Sequence, residues 1–84
     1  MYNLEFSDEA SKILKKADKH TSKIILKKIK ELRLNPELGI PLTAHLSGLW
    51  KLRIGKFRVI YSIKNQECLI LIVRIGPRKN IYKR

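Results

Sequence analysis

Three basic side chains, Lys51, Arg53 and Arg58, are spaced so that they can meet on one face of a β-hairpin. The two residues between their strands, Gly55-Lys56, begin with glycine, which is typical of a type II′ turn. That turn places Arg53 opposite Arg58, and opposed residues share a face of the sheet. An arginine offers two N–H groups to two phosphate oxygens, so the cluster predicts a site for a polyanion.

Basic residues on the solvent side of a sheet often serve only solubility, and any one of the three could have that role alone. As a cluster they need another explanation, because two opposed arginines repel each other at a cost of roughly a few tenths of a kcal/mol. Glu67 is the only acidic residue after Trp50, so no nearby carboxylate is available to relieve this repulsion. The cluster therefore favours a bound anion over simple solvation.

The end of the chain adds more charge and one aromatic ring. Gly76-Pro77 is expected to stop the last strand and to turn the tail back toward the basic face. An exposed aromatic ring among cations suits an unpaired nucleic-acid base, and packing against the protein is the alternative role for the same ring. The tail residues concerned are Arg78, Lys79, Tyr82, Lys83 and Arg84.

The net charge indicates what kind of partner the chain binds. Lys and Arg number 19 against 7 Asp and Glu, which gives +12 over 84 residues, and +9 of this lies after Trp50. Such an excess favours nucleic acid over a membrane surface. Glu67 is the single acid in the basic half, so this half cannot supply the clustered carboxylates that hold the metals of a two-metal nuclease. A metal-dependent nuclease is therefore unfavoured, and no cofactor is expected.

The length of the chain limits the architecture to one small domain, residues 1–84, that binds its partner on its surface. No apolar run approaches the roughly 18 to 20 residues of a membrane-spanning helix, and the N-terminus lacks the basic start and apolar run of a signal peptide. A cytoplasmic protein is expected. Cys68 lies in an apolar run, which predicts a buried structural thiol.

The elements that position the basic cluster follow from the hydrophobic periodicity. A short strand is predicted at 2–6, a helix after the capping residues Ser7-Asp8, and a second helix from about Thr21 to Leu34. After a Pro/Gly loop at 35–41 the period changes to two, and strands are predicted at 50–54, 57–63 and 68–75. The fold class is α+β: an N-terminal strand and a helical hairpin packed on one face of a mainly antiparallel four-stranded sheet.

The hairpin sequence resembles the RelE family of toxins from prokaryotic toxin–antitoxin modules, within the RelE/ParE superfamily. The resemblance covers essentially the whole chain and is most specific in two segments, Leu49-Trp50-Lys51-Leu52-Arg53-Ile54-Gly55-Lys56-Phe57-Arg58-Val59-Ile60-Tyr61 and Val73-Arg74-Ile75-Gly76-Pro77-Arg78-Lys79-Asn80-Ile81-Tyr82. It implies a ribosome-dependent mRNA endonuclease that cuts the codon in the decoding site. It also implies that the catalytic positions are Lys51, Arg53, Arg58, Arg78 and Tyr82.

The chemistry implied by the resemblance is compatible with these side chains. RNA supplies its own nucleophile, the 2′-hydroxyl, so the protein must align it, take its proton, balance phosphorane charge and protonate the leaving 5′ oxygen. Neighbouring positive charges favour the neutral form of a lysine amine, so Lys51 is the best general base. Arg53 and Arg58 stay protonated and are expected to clamp the phosphate. The family resemblance implies that Arg78 stabilises the transition state or supports the leaving group, and that Tyr82 stacks on a codon base.

Secondary RNA contacts are expected from Lys56, Lys79, Lys83, Arg84 and His45. The resemblance implies three partners, namely mRNA, the ribosome and a small antitoxin of the RelB type that masks the basic face. The free toxin is expected to be monomeric, and no membrane partner is expected. Two further hypotheses stay open: a gyrase-inhibiting toxin of the ParE type on the same fold, and a nucleic-acid-binding relative without catalysis. A ribonuclease with two catalytic histidines is unfavoured, because His20 and His45 lie far apart in the predicted elements.

Overall fold

A computed structural model describes residues 1–77 of the chain. The chain order is β1 (Asn3–Phe6), α1 (Asp8–Lys16), α2 (Lys19–Glu31), β2 (Ile40–Pro41), β3 (Leu49–Ile54), β4 (Phe57–Lys64) and β5 (Leu69–Pro77). The predictions for Arg78, Lys79, Tyr82, Lys83 and Arg84 lie outside the described residues.

The two helices begin at side-chain caps that the sequence provides. The Ser7 hydroxyl accepts the backbone N–H of Ala10 at 3.0 Å and donates to the carbonyl of Val73 at 2.7 Å, which ties the start of α1 to β5. Asp18 caps α2 by accepting the backbone N–H of Thr21 at 2.8 Å. Helix α2 therefore begins two residues earlier than predicted, and it ends at Glu31 before a turn.

The sheet has five strands in the order β1-β5-β4-β3-β2, with β1 parallel to β5 and the other neighbours antiparallel. The predicted α+β class and mainly antiparallel sheet are confirmed, but the strand number of four is wrong. The additional strand, Ile40–Pro41, lies in the predicted loop at 35–41, because a strand of two residues shows no alternation in the sequence. Proline is tolerated there because β2 is an edge strand.

The helices cover one face of the sheet, as predicted. The core joins Ala10, Ile25, Ile29 and Leu32 from the helices and the segment after α2 to apolar side chains of β3, β4 and β5. The latter are Leu52, Ile54, Val59, Tyr61, Ile70, Ile72 and Ile75. Burial of this face holds the hairpin in a fixed register, because a shift by one residue would turn the apolar set to solvent. The opposite face is thereby left for the cations.

Two predictions about the last strand are wrong. Cys68 is exposed, because it lies just before β5 in a left-handed turn conformation (φ 49°) and not in the strand. The strand also does not stop before Gly76-Pro77: Gly76 pairs with Arg58 and Pro77 pairs with Phe57. Pro77 is the final residue of β5, where a missing N–H costs the sheet little.

Candidate RNA-binding groove

The hairpin that carries the basic cluster has the predicted register. Gly55 has φ +56°, as the first turn position of a type II′ hairpin requires. Arg53 pairs with Arg58 and Lys51 pairs with Ile60, so all three cations lie on the face away from the helices. The sequence therefore located the cluster correctly from one glycine and the alternation around it.

A groove of about 360 Å³ lies on this basic face. One wall consists of Lys51, Arg53 and Arg58 with Leu52 on β3 and β4, and the other consists of Leu38, Gly39 and Ile40. Its volume is within the range of about 300 to 1,000 Å³ that is usual for ligand sites. The groove thus has one wall that is mainly cationic and one wall that is mainly apolar.

Arg58 differs from the prediction, because its side chain is buried and not on a solvated surface. The residue is 8% exposed, and within the described part of the chain its Nε atom has no hydrogen-bond partner. Its neighbours across the sheet are Arg53 on β3 and Gly76 on β5. Burying a cation without a compensating acid costs free energy, and such a cost is commonly kept where a site needs the charge.

Neither Arg53 nor Arg58 takes part in an ion pair within residues 1–77. Lys28 pairs with Glu31 at 3.3 Å, and Arg74 pairs with Glu9 at 3.5 Å. Arg53 is exposed and Lys51 is partly buried. Over the same residues, no three His, Cys, Asp or Glu side chains group in a way that could hold a metal ion. The groove can supply positive charge to an anion from two arginines on neighbouring strands.

The loop wall of the groove is fixed from the core by Tyr61, which is fully buried and stacks on Trp50 with ring centroids 6.3 Å apart. Its hydroxyl donates to the carbonyl of Pro36 at 2.7 Å and accepts the N–H of Gly39 at 3.0 Å. Gly39 lies so close to the carbonyl of Lys51 that an added Cβ would overlap it. The wall is therefore held at a set distance from the cations.

Replacing Tyr61 by phenylalanine is expected to lower the free energy of unfolding by about 2 kcal/mol, because a carbonyl and an N–H of the loop lose their partner. RNA binding in the groove should weaken as the loop loosens. Chemical denaturation and RNA titration measure the two effects. Tyr2→Phe is the matched control, since Tyr2 donates to Asn65 at 2.6 Å in an exposed position; an equal loss there would contradict the special role of Tyr61.

The contribution of Tyr61 to the free energy of unfolding should also depend on pH. Burial raises the pKa of Tyr61 above its usual value of 10.0. The folded protein thus keeps the phenol proton at a pH where the unfolded chain loses it, and stability is complete below pH 10 and declines as pH rises further. The difference in unfolding free energy between the wild type and Tyr61→Phe should shrink above pH 10. A difference that grows with pH would contradict this.

Two residues that were predicted to make secondary RNA contacts, His45 and Lys56, do not line the groove. His45 is exposed in the 3-10 turn Ala44–Leu46, and Lys56 is exposed at the hairpin turn. Lys56 lines a separate apolar groove beside α2, together with Ile24 and Phe57. Neither residue is brought together with Lys51, Arg53 and Arg58 in the basic groove.

Sequence reasoning missed the apolar wall, Leu38, Gly39 and Ile40. The one available signal was Ile40, a large apolar residue between Gly39 and Pro41, where helix and strand patterns are both absent. Ile40 is 60% exposed. Its place opposite Lys51 follows only from the pairing of β2 with β3.

Comparison with known proteins identifies relatives along nearly the whole chain. A family model described as the ParE toxin of the type II toxin–antitoxin system parDE matches residues 4–82. An Escherichia coli protein named as a RelE-like toxin is 32% identical over 83 residues, which cover 93% of this chain and 84% of that protein.

Solved structures of toxin–antitoxin complexes have the same fold. The RelBE2 complex from Mycobacterium tuberculosis contains a chain that aligns with a TM-score of 0.83 and 25% identity, covering 92% of this chain and 98% of that one. The archaeal RelE–RelB complex from Pyrococcus horikoshii aligns with a TM-score of 0.78 and 26% identity, covering 94% and 97%.

Proposed function

Because the chain belongs to the RelE/ParE superfamily of type II toxin–antitoxin toxins, we propose that it is an endoribonuclease that cleaves mRNA on translating ribosomes. The basic groove is its cleavage site. The observation that carries this proposal is Arg58, a buried cation whose Nε has no partner within the described residues and whose side chain lines the groove. An RNA phosphate would supply the negative charge that residues 1–77 do not place beside Arg58.

The proposed reaction uses the 2′-hydroxyl of the RNA as nucleophile. Its oxygen forms a bond to phosphorus while the bond from phosphorus to the 5′ oxygen breaks, which leaves a 2′,3′-cyclic phosphate and a 5′-hydroxyl. Lys51 takes the proton from the 2′-hydroxyl, and Arg53 and Arg58 balance the charge on the phosphorane oxygens. The low exposure of Arg58 strengthens this interaction, because screening by water is reduced. The family resemblance assigns the leaving-group side to Arg78 and base stacking to Tyr82.

The proposed partners follow from the same surface. Similar chains have been solved in the RelBE2 toxin–antitoxin complex from M. tuberculosis and in the RelBE toxin–antitoxin complex from E. coli. Another has been solved in the RelE–RelB complex from P. horikoshii. A small antitoxin with acidic side chains would complement the basic groove and exclude RNA from it. Among residues 1–77 no helix is long and apolar enough to span a membrane.

Primer extension on ribosome-bound mRNA tests the proposed activity. The wild-type protein is expected to produce cuts within the codon of the decoding site, and Arg58→Ala is expected to remove them while far-UV circular dichroism stays unchanged. Lys23→Ala, which removes an exposed charge on the outer side of α2, is the matched control and should cut like the wild type. Equal cutting by Arg58→Ala would remove the groove as the site.

A second candidate function, inhibition of DNA gyrase, is favoured by one observation, the match of residues 4–82 to a model described for ParE toxins. A supercoiling assay separates it from RNA cleavage. Inhibition of gyrase without any cut in ribosome-bound mRNA would favour the gyrase function. Binding of RNA that weakens steeply with salt but never gives a product would instead indicate a nucleic-acid-binding relative without catalysis.

A further inference from the structure

The apolar wall of the basic groove is unusual for a surface that is otherwise rich in cations. Ile40 is 60% exposed, and it lies directly opposite Lys51 in the pairing of β2 with β3. Opposed residues share a face, so Ile40 is on the same side of the sheet as the cations. Leu38 and Ile40 line the groove together with Arg53 and Arg58. The exposed side chain of Ile40 is thus part of the site and not a scattered surface residue.

This wall is also fixed and not a free loop. The Tyr61 hydroxyl holds Pro36 and Gly39, and the N–H of Leu42 donates to the carbonyl of Leu49 at 2.8 Å just after β2. Ile40 therefore lies between two anchored points of the backbone. An apolar side chain on an anchored backbone costs little backbone entropy when it contacts a ligand.

We propose that Ile40 is a nucleobase-contact residue: its side chain packs on the face of the base that adjoins the phosphate held by Arg53 and Arg58. The inference rests on the proposed RNA substrate and deepens it. An aliphatic side chain contacts the π-face of every base, so the contact positions the RNA without reading its sequence. It requires an unpaired base, because in a duplex the base faces are already stacked. The groove thus favours single-stranded nucleic acid over duplexes and over polyanions of equal charge that lack bases.

The experiment measures binding and does not require cleavage. A short 2′-fluoro RNA with a fluorescent label cannot react through a 2′-hydroxyl, and a matched oligonucleotide with abasic residues has the same phosphates without bases. The wild type is expected to bind the base-containing oligonucleotide about fivefold more tightly than the abasic one. Ile40→Ala should remove most of this difference while its affinity for the abasic oligonucleotide stays unchanged.

Ile24→Ala is the matched control, because Ile24 is 48% exposed on α2 and lines the other, apolar groove. It should keep the wild-type preference for bases. Equal affinity of the wild type for the two oligonucleotides would overturn the inference, and so would an equal loss for both on Ile40→Ala. If the wild type prefers bases through Ile40 but never cuts mRNA, the proposed function fails and the contact stands; if it cuts but Ile40→Ala keeps the preference, only the contact fails.

Discussion

Replacing Arg58 by methionine is expected to raise the free energy of unfolding by about 1 kcal/mol and to lower mRNA cleavage by about 100-fold or more. Arg58 is 8% exposed, and its Nε has no hydrogen-bond partner within residues 1–77. Methionine fills much of the same volume without a charge to desolvate, so the folded protein should gain stability. Cleavage should fall because the phosphorane loses a cation that water screens little. Chemical denaturation and primer extension measure the two effects.

Arg33→Met is the matched control for this substitution. Arg33 is partly buried like a typical structural arginine, and its Nε donates to the carbonyl of Tyr2 at 3.0 Å. Its replacement removes the same charge and a satisfied hydrogen bond, so stability should fall while cleavage stays near the wild-type rate. A loss of stability in Arg58→Met as large as in Arg33→Met, with cleavage retained, would show that Arg58 is a structural residue.

The second large effect is expected at Gly39. A Cβ at this position would overlap the backbone carbonyl of Lys51 and press on the Tyr61 hydroxyl, and a backbone atom cannot rotate away. Gly39→Ala should therefore displace the loop wall, lower the free energy of unfolding by about 2 kcal/mol and reduce cleavage more than tenfold. The backbone of Gly39 has φ −83°, so the constraint is space and not a left-handed conformation.

Gly48→Ala separates the effect of a displaced loop wall from the effect of general destabilisation. Gly48 has φ +95°, and a Cβ there would meet no atom within 4 Å. Its replacement should cost about 1 kcal/mol of stability through backbone strain, and cleavage should be unaffected. If Gly48→Ala impaired cleavage as much as Gly39→Ala, general destabilisation and not the position of the wall would explain both results. Thermal unfolding and single-turnover cleavage of the two variants make the comparison.

The hairpin could be predicted from sequence because its determinants are local. Gly55 fixes the turn, and the alternation of charged and apolar residues on both sides leaves one register that buries the apolar face. The cap Ser7 likewise marks the start of α1 by side-chain chemistry within three residues. The start of α2 was missed by two residues, because the prediction began that helix at Thr21 and not after the cap Asp18. In each case the sequence signal and the structural feature lie in the same few residues.

The features that could not be predicted depend on contacts between distant segments. Strand β2 has two residues and exists only because β3 offers an edge for Ile40 to pair with. Cys68 has apolar neighbours in sequence, but a left-handed turn before β5 leaves it exposed. The burial of Arg58 depends on its central strand, with β3 on one side and β5 on the other. Alternation alone reports the face of a residue and not its exposure.

The most direct test of the central claim uses ribosome-bound mRNA with a single 2′-deoxy nucleotide in the decoding-site codon. If the groove aligns a 2′-hydroxyl for attack on the adjacent phosphate, the wild-type protein will cut the all-ribose mRNA at that position and leave a 2′,3′-cyclic phosphate. The deoxy substitution should abolish that cut and leave cutting of a control mRNA with a distant deoxy nucleotide unchanged. Equal cutting at the decoding site of the all-ribose mRNA and of the mRNA with the deoxy nucleotide in that codon would contradict the account. So would a failure to cut the all-ribose mRNA.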